Sequence, residues 1–358
     1  MGNAEASLLE EMRVAAKTAI AGAGSSMMWG VDLSKPSEAT DVVLLKFLRA
    51  TELSVPDAAK RLEGTLKFRK ERGVDSFKMS SLAPHFQGHD FIAGTDCDGR
   101  PVLISRYGAM DNDRVFGDTE AFVTYRLHVM EEIMAKLSFK AGEPETLCQV
   151  HDYSGVPLLF KTSEVNRAVS AISKVFGDHY PETKGTTIFV NFPMAFSKIF
   201  QAFSSFLPER TRNKFIIFGD ADQELLFQRI APEHVPESLG GLLRSDTPPA
   251  LAGAPVQAHS VAARETKETV LAEVAGKAAV VWEVRVCNGE GAYELVFSPK
   301  DRGPDIVVRS RQAVQGSDGV ASGEFQAPGA GTLKCRLTND RAWWQSRLFL
   351  CRAAAGRK

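Results

Sequence analysis

Four short apolar runs set the limits on what this chain can fold into. Val102-Leu103-Ile104-Ser105, Leu147-Cys148-Gln149-Val150, Thr187-Ile188-Phe189-Val190 and Phe215-Ile216-Ile217-Phe218 are β-rich and mostly continuous in apolar character. Strands of that kind suit a sheet covered on both faces. Helical patterns separate them, over roughly 118–139, 162–177 and 194–206. Strand and helix in alternation predict βαβ units with right-handed crossovers.

The flanking regions read differently. Residues 1–35 are small and polar, with Gly22-Ala23-Gly24-Ser25-Ser26 as a helix breaker, and are expected to be a flexible N-terminus. A helical bundle is expected over 36–85. There, Asp41 precedes Val42, Val43, Leu44, Leu45, Phe47 and Leu48, and Pro56 fits the first turn of a second helix that ends near Gly73. The α/β domain spans 86–245, and Pro248-Pro249 marks a linker over 246–257. From 258 to 354 only period-two patterns remain. Trp282, Val284 and Val286 alternate with Glu283, Arg285 and Cys287, and Tyr293, Leu295 and Phe297 repeat the alternation. With Asn288-Gly289 and Pro328-Gly329 turns, this predicts a β-sandwich or jelly roll. Two domains of ordinary size account for 358 residues.

Charge and motifs then exclude several functions. A net charge of −1 argues against a general nucleic-acid binder. From Val256 onward, 15 Lys+Arg face 11 Asp+Glu, a modestly basic tail of +4. Five widely spaced cysteines without a C-x-x-C pair support neither a metal site nor a disulfide framework, and read as reduced thiols in a cytoplasmic protein. No apolar run reaches the length of a membrane span, and no secretory signal pattern opens the chain. Met1-Gly2-Asn3-Ala4-Glu5-Ala6 narrowly misses an acylation motif, because Ala6 stands where Ser or Thr is required. No nucleophile elbow, Walker loop or dinucleotide fingerprint occurs, so no catalytic residue and no cofactor are expected. His151 and Asp152 are adjacent, but strand neighbours point to opposite faces, and the pair reads as a strand end bonded locally.

One helical segment stands out. Phe196, Ile199, Phe200, Phe203 and Phe206 recur at steps of three or four after Phe192, forming an apolar stripe that fits either a core helix or a binding wall. Around it lies an ordered series of motifs: Leu44-Leu45-Lys46-Phe47-Leu48-Arg49-Ala50, Asp98-Gly99-Arg100-Pro101-Val102, Asp152-Tyr153-Ser154-Gly155, Tyr180-Pro181-Glu182, Asn191-Phe192-Pro193, Thr211-Arg212-Asn213-Lys214, and Val235-Pro236-Glu237-Ser238-Leu239-Gly240-Gly241. The series resembles the CRAL-TRIO family, and the tail, with Pro328-Gly329-Ala330-Gly331-Thr332-Leu333, resembles a GOLD domain. The resemblance implies an N-terminal helical bundle, then a mixed, mainly parallel sheet flooring a lipid pocket with the phenylalanine helix as its gate, then a GOLD-like jelly roll.

It also implies a carrier that holds one lipid, a phosphoinositide or other phospholipid, and exchanges or presents it during transient contact with membranes. Burying about 30 methylenes is worth roughly 24 kcal/mol at about 0.8 each. A bilayer offers nearly the same, so exchange costs little net free energy and the gate removes the barrier of passing through water. The resemblance carries Glu182, Lys214 and Thr211 over as headgroup contacts, although a structural ion pair fits Glu182 and Lys214 equally. Thr51 and Thr183 stand where inositol-lipid binders carry arginines, and Leu103, Leu147 and Gln149 also depart from the pattern. A terpenoid or sterol-type ligand, and a trafficking adaptor with a protein partner on the GOLD-like domain, therefore stay open. Trp343 and Trp344, adjacent on an expected strand, are expected to point one inward and one outward.

Overall fold

The computed structural model describes residues 3–156, 162–192, 214–218 and 223–356. The chain divides into two compact units, Met1–Asp220 and Ala221–Lys358.

The first unit opens with helices α1 (Asn3–Ala23), α2 (Glu38–Arg49) and α3 (Val55–Arg72). Helix α1 corrects the expectation of a flexible start over 1–35. Leu9, Met12, Ala16, Ala19 and Ala23 fall at helical steps and are buried, so alanines that look merely small in sequence form the packing stripe. Arg13 reaches across to Asp41 through two hydrogen bonds, at 2.8 and 2.6 Å, and ties α1 to α2. Ser37 caps α2 by accepting from the amide of Thr40, and Gly73 closes α3 in the left-handed conformation.

Five strands follow: β1 (Asp90–Thr95), β2 (Pro101–Arg106), β3 (Leu147–Asp152), β4 (Lys184–Val190) and β5 (Phe215–Phe218), adjacent in that order. β1 and β2 form an antiparallel hairpin, and the other neighbours are parallel, so the sheet is mixed and mainly parallel as expected. The hairpin turn is fixed by Asp96, whose carboxylate accepts from the amides of Asp98 and Arg100 and from the Arg100 guanidinium. Helices α4 (Asn112–Gly117), α5 (Thr119–Met134) and α6 (Thr162–His179) complete the described part. The expected helix at 194–206, with Phe196, Ile199, Phe200, Phe203 and Phe206, and also Thr211, lies outside the described residues.

The second unit is a sandwich of two four-stranded antiparallel sheets. One contains Ala321–Ala327, Ala278–Val286, Arg347–Ala355 and Gln257–Val261; the other contains Ile306–Gln315, Glu290–Pro299, Gly331–Asn339 and Glu265–Val274. Trp282, Val284, Tyr293, Leu295, Phe297, Leu333 and Leu337 fill the core, as their alternation predicts. The boundary differs from the expected linker at 246–257. Leu242 packs with Cys287, Leu348 and Leu350, and Leu251 is fully buried, so the segment from 242 to 251 lies on the outer face of the sandwich. There Glu283, fully buried, accepts from Arg244 at 2.5 Å and from Arg352 at 2.8 Å. Counting the whole unit lowers its excess of positive charge to +1, 17 basic against 16 acidic residues.

Candidate functional site

The parallel registers bring alternate residues onto one face of the first unit's sheet. Leu103, Gln149, Thr187 and Phe215 lie in one row, and Ser105, His151, Phe189 and Ile217 in the next. Above this face, α5 offers Phe122 and Arg126, and α6 offers Val165, Val169, Ile172 and Phe176. Between them is a cavity of about 250 Å³, walled by these aliphatic and aromatic side chains together with Phe116, Phe189 and Phe215.

Its polar groups are few and specific. The Tyr107 hydroxyl and His151 Nδ1 are 2.9 Å apart, and the Tyr107, His151, Tyr153 and Phe189 rings pack together, with centroids 5.3–6.0 Å apart. Burial, reinforced by Arg126 and Lys184, holds the His151 imidazole down at about 3, so the ring is neutral at physiological pH. Arg126 is charge-compensated. Its Nη1 donates to Asp90 at 2.8 Å, and that attraction outweighs the opposing effect of burial. Asp90 also accepts from Tyr125 and Ser105.

Lys184 is not compensated in this way. Its ammonium stands over the Phe176 ring at 5.6 Å and has no carboxylate partner among the described residues. Burial, then Arg126 and Lys214, push it down to about 8. An apolar cavity thus carries an electropositive corner, which is costly unless an anion occupies it.

The predicted headgroup residues lie beside that corner. Lys214 Nζ donates to the Lys184 carbonyl at 3.0 Å and stands 3.9 Å from the Glu182 carboxylate, each side chain about one quarter exposed. Glu182 occupies the left-handed region at φ 48°, and its carbonyl accepts from buried Lys46 at 2.7 Å. Lys46 also donates to the Glu145 carbonyl at 2.6 Å, so the lysine of the first motif pins α2 to the turn before β4. Phe192, the one predicted gate residue among those described, meets Tyr153 and Phe189 edge-on at 5.0 and 5.6 Å. The two threonines at expected arginine positions are closed on local backbone, Thr51 on Phe47 and Thr183 on Tyr180.

His151 and Asp152 do diverge. Asp152 turns away from the cavity to accept from Ser154 and from Asn191 at 3.0 Å. What sequence reading missed is His151 itself, together with Lys184, Arg126 and Tyr107, as lining residues. Arg126 carried a signal, since it falls four residues after Phe122 on the apolar face of α5. Lys184 carried none beyond being a lysine at the head of an apolar strand.

Comparison with known proteins places this architecture. The CRAL/TRIO domain model matches residues 85–241, and the CRAL/TRIO N-terminal domain model matches residues 8–64. Patellin-6 of Arabidopsis thaliana is 31% identical over 331 residues, covering 88% of this chain and 79% of that protein. The chain belongs to the CRAL/TRIO family. Patellin-5 of the same plant is 30% identical over 87% of this chain, but the chain spans only 48% of its length. A protein named phosphatidylinositol transfer protein SFH5, from Cryptococcus neoformans var. neoformans serotype D, is 32% identical over 65% of this chain and 86% of its own. The crystal structure of Sfh5 superposes with a TM-score of 0.56 at 22% identity, covering 62% of this chain and 82% of that one, and so shares the fold. The CRAL/TRIO match to 8–64 includes most of α1, in agreement with its packed stripe.

Proposed function

We propose that this chain is a lipid carrier that holds one phospholipid, acyl chains against the aromatic and aliphatic walls and acidic headgroup toward Lys184, Arg126 and Lys214, and exchanges it in transient contact with membranes. The observation that carries this reading is the ammonium of Lys184, without a carboxylate partner among the described residues, in a cavity walled mainly by apolar side chains. A terpenoid or sterol-type ligand would leave that cation buried without a counter-ion, which disfavours it. No reaction is proposed for this site. No helix among the described residues is long and apolar enough to cross a membrane. The unit Met1–Asp220 would then serve as bundle and carrier, and Ala221–Lys358 as the GOLD-like tail.

Native mass spectrometry of the purified full chain, followed by organic extraction, tests the reading. An acidic phospholipid bound one to one is the expected result, and a sterol or terpenoid overturns it. Replacing Phe200→Glu, on the proposed gate, is expected to abolish vesicle-to-vesicle transfer, because a carboxylate enters the hydrocarbon boundary only at high cost. Wild-type transfer by the folded variant overturns the gate assignment.

A further inference from the structure

Trp343 and Trp344 do not lie on a strand. They occupy the loop between Gly331–Asn339 and Arg347–Ala355, and both are 81% exposed, so the expectation of one inward and one outward ring is corrected. Once the chain leaves the pleat, alternation no longer applies. Adjacent tryptophans at this exposure are unusual on a folded surface, where large aromatic rings are mostly covered.

The loop is held firmly at its base. Asn339, fully buried, donates to the carbonyls of Val261 and Gln345 at 3.0 and 2.9 Å, and its own carbonyl accepts from the amide of Arg264 at 2.6 Å. Ala342 is buried, and Arg341 pairs with Glu290 at 2.7 Å. The tryptophans are therefore presented on an anchored loop.

Two arginines stand beside them. The Arg264 guanidinium stacks on the Trp343 ring at 4.8 Å and has no hydrogen-bonding or ionic partner among the described residues. Arg264 also adopts the left-handed region, at φ 65°, a conformation that non-glycine residues pay for and that is held here by the bond to Asn339. Arg347 donates to the Glu290 backbone carbonyl and to the Gln345 side chain, and has no carboxylate partner. Of the acids nearby, Asp340 pairs with Arg311 and Glu290 with Arg341, while Glu265, next to Arg264 and opposite Asn339, is exposed.

We propose that this loop is a docking tip for an anionic bilayer, in which Trp343 and Trp344 enter the headgroup–acyl boundary while Arg264 and Arg347 meet lipid phosphates. An indole has an apolar body and a polar N–H and settles at that boundary. A guanidinium stacked on the ring is carried to the same depth, where phosphates are abundant and bidentate pairing is available. The surroundings favour a bilayer over a protein partner. Asp340, Arg341, Gln345 and Ser346 around the rings are exposed and polar, so the two rings form a small isolated apolar tip, suited to a headgroup region, and not the larger apolar patch of a protein interface. The site deepens the membrane contact proposed above, yet its test does not depend on lipid transfer.

The chain has four tryptophans, and Trp29 and Trp282 are buried. Fluorescence quenching of the full chain by vesicles of brominated phosphatidylcholine, with and without phosphatidylserine, therefore reports on Trp343 and Trp344. Strong quenching that requires phosphatidylserine is expected. W343A/W344A should lose it and weaken vesicle binding by about tenfold or more. R264A should weaken binding by about fivefold, an effect that fades at high salt. Quenching no greater than in W343A/W344A overturns the proposal, as does equal affinity for vesicles with and without phosphatidylserine. A wild-type dimer that becomes monomeric in W343A/W344A, without quenching by vesicles, assigns the tip to a second copy and also overturns it. Failed transfer with intact quenching counts against the carrier reading alone.

Discussion

Two charges, a buried one in the second unit and a half-buried one in the first, are handled in opposite ways. Glu283 has no exposure and is matched by two arginines, Arg244 and Arg352, each bonded to a different carboxylate oxygen. Lys184 faces an apolar cavity with two further cations near it and no described carboxylate. The first arrangement is closed, because both carboxylate oxygens have found a cation within the protein. The second is open, and its electrostatic debt is left for a ligand. A charge that serves packing is compensated inside the fold, whereas one that serves binding is left incomplete.

The largest effect expected from this contrast is at Glu283. Removing it in Glu283→Ala leaves the buried Arg352 guanidinium without a carboxylate and Arg244 with only the exposed Asp246, and should destabilise the second unit by about 3–5 kcal/mol. Denaturant unfolding of the full chain reads this directly, and a loss below about 1 kcal/mol would break the comparison.

Lys184→Met should behave in the opposite sense. The apolar replacement relieves an uncompensated, half-buried cation, so the melting temperature should hold or rise. Binding of an acidic phospholipid should fall by about 1.5–3 kcal/mol, the scale of hydrogen bonds to charged groups. A destabilised variant with unchanged lipid affinity would place Lys184 with Glu283 as a structural charge.

Titration sharpens the same point. The ammonium of Lys184 is lowered to about 8 from an ordinary value of 10.5, so it is charged below that pH and neutral above it. Affinity for an acidic lipid should therefore be full below pH 8 and decline as pH rises through it. Protein stability should move the other way between 8 and 10.5, since the unfolded chain still binds the proton and each step up in pH favours the folded state. Binding isotherms from pH 6.5 to 9.5 check this, and in Lys184→Met both slopes should flatten.

The smallest stability effect is expected at Lys214. Its 3.9 Å approach to Glu182 is partly exposed, and such pairs contribute about 0–1 kcal/mol. Lys214→Ala should leave unfolding nearly unchanged. Loss of acidic-lipid binding in that variant would assign it to the headgroup, and loss of stability with all ligands equally would assign it to the fold.

Much of the architecture was legible in sequence because local pattern and tertiary role agree. The run Phe215–Phe218 is a strand over those four residues, and the tail's alternation produces its two-sheet core. The readings failed where a residue's partner lies far along the chain. Helix α1 was hidden because alanine's value depends on what packs against it. The supposed linker is ordered because Leu251 and Arg244 meet strands tens of residues later. Lys184 and His151 become site residues only when parallel registers bring their rows beneath α5 and α6. Trp343 and Trp344 were assigned to a strand by composition, yet the strand ends at Asn339, whose side chain turns the chain out of the pleat.

The outer covering of the sandwich also bears on how such a chain can be assembled by recombination. The family match ends at Gly241, the residue whose carbonyl accepts from Arg285 at 3.0 Å, and the next few residues supply Leu242 and Arg244 to the same sheet. A crossover at the edge of the family match would bring in a tail without its own Glu237, whose carboxylate accepts from the amide of Val320 at 2.8 Å and stands 3.7 Å from Arg285. The two modules are therefore not exchangeable at the seam that sequence comparison suggests. A viable chimera has to join nearer Asp220, carrying the last stretch of the family pattern along with the β-sandwich.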